Sequence, residues 1–251
     1  MPIDPKRLPI MEHLRELRYR LVIIAIVVFA GSIAMYFPAP YFYNLAMSPI
    51  LHIFGDQELI LLNPFETFTL RFKVALYATL VVGSPIIIWQ IMAFFLPALK
   101  PNERKWLVPT FAAMVTLFIG GVVFAHQIIL GTAFEWIIGQ AWQGVTQMPE
   151  ASTYFQGAVL LLLGFGIAFQ LPVVVFYLMI FNIVPYKKLR ANWRVVYTVL
   201  IVVSASATPD WSPVTMLALF AALVMLYEIS MALARVVLVK RIERRKALED
   251  M

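Results

Sequence analysis

Six apolar stretches, separated by shorter polar or proline-bearing segments, organise the 251 residues. The windows are Leu21–Phe37, Val74–Phe95, Leu107–Ile129, Phe155–Phe181, Val195–Ala207 and Val214–Ala234. Within each the apolar residues run continuously instead of alternating, which predicts helices and excludes a transmembrane β-barrel. A helix needs about 17–25 such residues to cross a hydrocarbon core roughly 30 Å thick. The fifth window is the shortest, and its crossing calls for local thinning or shelter by neighbouring helices.

The connections carry their own signals. Pro38 to Leu70 is punctuated by Pro38, Pro40, Pro49 and Pro64, which argues against one continuous helix there. Gly131 to Thr153 reads as a second cap, and Thr208 to Pro213 as a tight turn joining the last two spans into a hairpin. No internal repeat is visible. Trp106, Trp193 and Trp211 fall at span ends, and Trp136 and Trp142 lie after the third span, as an interfacial aromatic belt requires. Trp89, inside the second span, is expected to pack internally.

Composition agrees with this pattern: 62% of residues are hydrophobic and 14% charged, against about 45–50% and 25% in soluble domains. The fold class is therefore an all-α membrane protein, a single six-span domain over residues 1–251 with a basic tail at 235–251. The first apolar run continues past Val28 to Ser32 without a small-residue cleavage site and reads as a retained signal-anchor. No cysteine is present, so there is neither a disulfide framework nor a thiolate metal site.

The net charge of +6 invites a nucleic-acid reading until the cations are placed. Five precede the first span: Lys6, Arg7, Arg15, Arg18 and Arg20. Lys100, Arg104 and Lys105 follow the second span, and Lys187, Lys188, Arg190 and Arg194 follow the fourth. Arg235, Lys240, Arg241, Arg244, Arg245 and Lys246 end the chain. With six spans these segments share one face, which the positive-inside rule makes cytoplasmic, together with both termini. Only Arg71 and Lys73 lie on the other face, with Glu66 as a local counter-charge.

Catalytic chemistry finds little support. His-Glu-x-x-His, Gly-x-Ser-x-Gly, the P-loop and the glycine-rich dinucleotide turn are all absent. His13, His52 and His126 are too dispersed to suggest a metal cluster. Neither an enzyme nor a cofactor or metal is expected. Two blocks stand out instead. Glu12 to Leu21 places Leu14, Leu17 and Leu21 at helical spacing, an amphipathic lead-in with snorkelling arginines. Within it Glu12 and Glu16 repel at i,i+4, while Glu16 and Arg20 attract. Phe94 to Lys105 is a proline-bearing cytoplasmic turn with one carboxylate, Glu103. Glu16, Glu103 and Phe94 together offer a face for a cationic, partly apolar peptide. An Arg–carboxylate fork there contributes about 1.5–3 kcal/mol. The plain alternative is an ordinary interfacial helix and an exposed salt bridge worth about 0–1 kcal/mol.

These residues resemble a known family. His13-Leu14-Arg15-Glu16-Leu17-Arg18 before an apolar span is similar to the N-terminal signature of TatC, the multi-spanning subunit of the twin-arginine protein translocase. The similarity continues in order through Ser48-Pro49, Asn63 to Phe68, Ser84-Pro85-Ile86 through Gln90, Phe94 to Lys105, Gly164 to Pro172, Thr208-Pro209-Asp210 and Tyr227-Glu228-Ile229. The resemblance implies six helices in a concave, cupped bundle in the bacterial inner membrane. It implies that Glu16, Glu103 and Phe94 recognise the paired arginines of signal peptides on folded cargo. TatA-type and TatB-type single-span subunits in an oligomeric complex, membrane lipid, and export driven by the proton gradient are further implications.

One position departs from the family pattern, which usually has glutamate where this chain has Gln170. Glutamine keeps hydrogen-bonding capacity but removes a carboxylate that costs about 2.5–3.5 kcal/mol at mid-bilayer. A polar helix contact is then the expected use. Glu228 remains the intramembrane carboxylate, open to two readings: a functional group, or a partner of Arg235. Pro49, Glu66 and Asp210 read as structural residues of the outer face. A secondary transporter with Gln170 and Glu228 lining a solute path is the alternative function. The permease of an ATP-driven importer lacks an evident coupling helix.

Overall fold

A computed structural model describes residues 10–55, 59–95, 107–141, 148–180, 184–208 and 212–249. Among these the chain is helical apart from short connections and one isolated bridge. The helices are α1 (Ile10–Met35), α2 (Ala39–Phe54), α3 (Pro64–Val82), α4 (Ser84–Phe95), α5 (Leu107–Phe124), α6 (Leu130–Ile138), α7 (Ala151–Ala168), α8 (Leu171–Ile180), α9 (Tyr186–Ala191), α10 (Trp193–Ala207) and α11 (Pro213–Glu249). Four stretches are long and apolar enough to cross a membrane: Met11–Met35, Leu107–Ile138, Ala151–Met179 and Pro213–Val236. The pair α3 and α4 passes the same test together but bends by 56°. With 15 residues, α10 spans about 22 Å at 1.5 Å per residue. It is short of a bilayer core.

Proline explains the breaks. Pro85, second in α4, has no N–H to give Val81 and its ring clashes with that carbonyl, so α3 stops at Val82. Pro172 acts alike on Ala168, the last residue of α7. The fourth window is therefore two helices, with Gln170 between them. Pro49 behaves differently, sitting inside α2. The Leu45 carbonyl that it leaves without a backbone donor accepts from the Ser48 hydroxyl at 2.9 Å. Ser48-Pro49 is thus a proline with its own repair.

The third window runs on to Ile138, because a π-turn at Ala125–Ile129 joins α5 to α6. Polar Gly131, Thr132 and Glu135 hid the continuation, while Leu130, Ala133 and Phe134 are buried on one side. The basic tail likewise continues α11 as helix to Glu249.

Two compact units can be distinguished. In the first (Met1–Ser48, Asp56–Thr116 and Met148–Gln156), α1 packs on α3 and α4. Gly31 permits the closeness, since a Cβ there would lie 2.4 Å from the Thr79 methyl. The α3 N-terminus carries a reciprocal cap: Asn63 Oδ1 accepts from the Glu66 N–H at 2.9 Å, and Glu66 Oε2 from the Leu62 N–H at 2.8 Å. A parallel bridge pairs Ile60 with Glu150, and Ala151 N–H donates to the Ile60 carbonyl at 2.9 Å.

Arg71 and Lys73 belong to this unit. Arg71 Nε donates to the Tyr36 carbonyl at 3.0 Å and Nη2 to that of Phe37 at 3.4 Å, with the guanidinium 4.7 Å from the Tyr36 ring. A cation thus sits at the negative end of α1, where carbonyls lack helical partners. Lys73 donates to Ser152 Oγ at 3.3 Å. The expected counter-charge role of Glu66 is corrected, because its carboxylate caps α3 and forms no ion pair with either cation among the described residues. Trp89 is corrected too: it is 38% exposed, edge-on to Phe111.

In the second unit (Pro49–Gly55, Leu117–Gln147 and Gly157–Met251), α11 packs on α8, α10 and α6 through buried Leu219, Leu223 and Met231. Residues of α5 and α7 cross at Gly121 and Gly166 with backbones almost in contact. Ser204 and Ser230 are buried but donate to the carbonyls of Leu200 and Leu226 in their own helices, so neither needs a tertiary partner.

Candidate functional site

In the first unit α1 is inside out relative to a soluble helix. Leu14, Leu17 and Leu21, the stripe of the expected lead-in, are 52%, 36% and 55% exposed. The polar face formed by His13, Glu16 and Arg20 turns towards α4 instead. His13 stacks on Phe94 with ring centroids 4.4 Å apart and planes inclined by 24°. Two turns along, Arg20 Nη1 donates to Oε1 of buried Gln90 at 3.0 Å. The same guanidinium reaches Glu16 Oε1 through Nη2 at 3.4 Å, the i,i+4 attraction that the sequence foresaw.

Glu16 therefore stands between two anchors of α1 on α4, about a quarter exposed, with its carboxylate only loosely engaged. Phe94, on the partner helix, stacks on His13, one turn from Glu16 along α1, and is half-buried. The structure thus brings Glu16 and Phe94 onto one pair of helices; Glu103 lies outside the described residues. Chemically the arrangement offers a carboxyl acceptor and an aromatic face on one pair of helices, a combination complementary to a guanidinium. Gln90 fell within the stretch that carries the family resemblance, but the sequence reading gave it no role. Its place one helical turn before Phe94 was the available signal.

A second polar cluster occupies the other unit. Arg190 Nη1 reaches Glu228 Oε1 at 3.1 Å and Oε2 at 2.9 Å, and the Tyr197 hydroxyl donates to Oε1 at 2.9 Å. The expected partner Arg235 is replaced by Arg190. That residue lies 38 positions away, and only the packing of α9 and α10 on α11 brings it near. Gln170 is half-buried in the α7–α8 break, where its carbonyl accepts from Val173 N–H at 3.1 Å and Val174 N–H at 3.2 Å.

Glu66 is the helix cap already described, and Pro49 is the repaired proline of α2. Asp210 lies outside the described residues. The Glu150 carboxyl is held below the usual carboxylate range, first by the hydrogen bond from the Thr153 hydroxyl; the charge of Lys73 adds to this more weakly. No group of three or more His, Cys, Asp or Glu suited to a metal occurs among the described residues.

Long apolar helices with exposed apolar faces, joined by polar and basic connections, define a multi-pass α-helical membrane protein. Its closest packing and its polar contacts serve helix assembly and one carboxylate-bearing face. The chain belongs to the TatC family: the family model for Sec-independent protein translocase protein (TatC) matches residues 12–221. A TatC of Aquifex aeolicus is 33% identical, over 96% of this chain and all of that one. That of Carboxydothermus hydrogenoformans is 31% identical over 93% and 95%. A crystal structure of the twin arginine translocase receptor TatC superposes with a TM-score of 0.74 at 31% identity, over 89% of this chain and 98% of that chain.

Proposed function

We propose that this chain is the signal-peptide receptor and core subunit of a twin-arginine translocase, binding the paired arginines with Glu16, Glu103 and Phe94. The observation that carries the reading is the Glu16 carboxylate, 23% exposed and held loosely by Arg20, one turn along α1 from the His13 that stacks on Phe94 of α4. A carboxylate engaged at 3.4 Å still has lone pairs for a stronger donor. The relative whose structure superposes is named a twin arginine translocase receptor, which supports the same reading.

In this reading the chain crosses the inner membrane six times, with both termini and the basic connections cytoplasmic. The α3–α4 pair makes one bent span and α10 one short span. TatA-type and TatB-type subunits assemble with it, and the proton gradient drives export of folded cargo. Gln170 serves assembly and not proton transfer. The solute-transporter alternative is disfavoured because Glu228 is already engaged by Arg190 and Tyr197.

The test is photo-crosslinking from position 94 to a labelled twin-arginine peptide in the complete complex, beside a twin-lysine control. Labelling by the twin-arginine peptide alone is expected. Equal labelling by both peptides, or by neither, would sink the receptor reading.

A further inference from the structure

The contact between Glu16 and Arg20 is weaker than the same two residues would make by themselves. On one helix at i,i+4, with the glutamate N-terminal, they have the favoured orientation for an ion pair. A guanidinium left to itself prefers a fork of two parallel bonds to a carboxylate. Here the fork is split: Nη1 goes to Gln90 Oε1 at 3.0 Å, and Nη2 alone reaches Glu16, at 3.4 Å. That second distance is at the outer edge of hydrogen bonding. Gln90 is 9% exposed, so its amide has little water to replace Arg20, and an unpaired buried acceptor is costly. Arg20 Nε is buried with no acceptor among the described residues. The guanidinium is therefore aimed by Gln90, at the expense of its other bonds.

We propose that Gln90 is a specificity-determining residue: it draws one prong of the Arg20 guanidinium away from Glu16, so that the carboxylate stays receptive to a guanidinium arriving on a peptide. This deepens the receptor reading and rests on it. Without Gln90, Arg20 swings onto Glu16 as a two-pronged internal competitor. Without Arg20 as well, there is no competitor left to restrain.

The experiment measures the dissociation constant of a fluorescent twin-arginine peptide for the full chain purified in detergent, with thermal unfolding of each variant as a check on folding. Gln90→Leu is expected to bind about tenfold more weakly, the worth of one charge-assisted hydrogen bond gained by the competitor. Adding Arg20→Gln to Gln90→Leu is expected to restore binding to about the parent value, since the competitor has gone. Gln90→Glu holds Arg20 harder and should bind at least as tightly as the parent, which keeps the test open if Gln90→Leu does not fold. Parent-like binding by Gln90→Leu overturns the inference. So does a loss that Arg20→Gln fails to reverse, which marks a merely structural role, or a loss on Gln90→Glu equal to that on Gln90→Leu. Glu16→Gln separates the two levels. If it weakens binding, the receptor reading survives any of those failures; if it binds like the parent, that reading falls and this inference with it.

Discussion

Adjacent glycines in α5 provide a direct measure of how close the helices of the second unit lie. A Cβ built on Gly121 would stand 2.7 Å from the Phe165 carbonyl oxygen, 2.9 Å from the Phe169 ring and 3.0 Å from Gly166 Cα. Two of these obstacles are backbone, which no rotamer change can move aside. Gly121→Ala must therefore push α5 and α7 apart by several tenths of an ångström along their contact. Overpacking of this kind costs about 1–3 kcal/mol. A Cβ on Gly120 meets nothing within 4 Å. Gly120→Ala should gain up to about 1 kcal/mol from helix propensity. With two backbone obstacles the clash falls in the upper part of that range, about 2–3 kcal/mol, and the same helix-propensity gain leaves a net loss at 121 of about 1–2 kcal/mol. Thermal unfolding of the two variants in one detergent is the assay. We expect Gly120→Ala to melt at or above the parent temperature, and Gly121→Ala about 2–8 °C below it. If both shift alike, or Gly121→Ala melts no lower than the parent, the close backbone crossing is wrong.

Further outcomes follow from the polar contacts. A double-mutant cycle of Arg190→Met and Glu228→Gln should give a coupling of about 0.5–1 kcal/mol by thermal unfolding, modest because both side chains are more than a third exposed. Arg235→Met with Glu228→Gln should give none. Asn63→Ala should cost about 1 kcal/mol through loss of the α3 cap, read as faster hydrogen exchange in the first turn of α3. Glu150, with its proton affinity lowered in the fold, contributes stability that is fully present above the ordinary carboxylate range and lost as pH falls through its lower folded value. Protection of the Ala151 amide should thus fall at acid pH, and Glu150→Gln should remove that dependence. In peptide-binding assays, Glu16→Ala and Glu103→Ala should each weaken affinity about tenfold, whereas Gln170→Ala should alter recovery of the assembled complex and leave peptide affinity unchanged.

Much of the fold was legible because a membrane-spanning helix must bury its own hydrogen bonds and present apolar side chains, and both demands leave continuous runs in the sequence. The windows beginning at Leu107 and Val214 start within a residue of α5 and α11. Pro85 and Pro172 were equally visible, and their consequence, two broken helices, follows from ring sterics alone. What hydropathy obscured was the extension of α5 through the π-turn, since a few polar residues at the right helical positions do not stop a helix whose other face is buried.

Within the candidate site, local spacing gave Glu16 and Arg20 as neighbours, because i,i+4 geometry belongs to any helix. Phe94 and Glu103 were read from the proline-bearing turn Phe94 to Lys105, and likeness to a family supplied the paired arginines as their ligand. Partners distant in sequence were another matter. Gln90 for Arg20, Arg190 for Glu228 and the Tyr36 carbonyl for Arg71 lie 70, 38 and 35 residues away. Charge complementarity along the chain pointed instead to Arg235 and Glu66, both nearer in sequence and neither chosen. By itself the sequence determined which segments are apolar enough to enter a membrane and which residue types stand at their ends, since both depend on transfer from water into lipid and on local backbone geometry. Which polar group answers which was decided only by helix packing: a donor takes the acceptor that tertiary contact brings within 3 Å or so, whatever its distance along the chain.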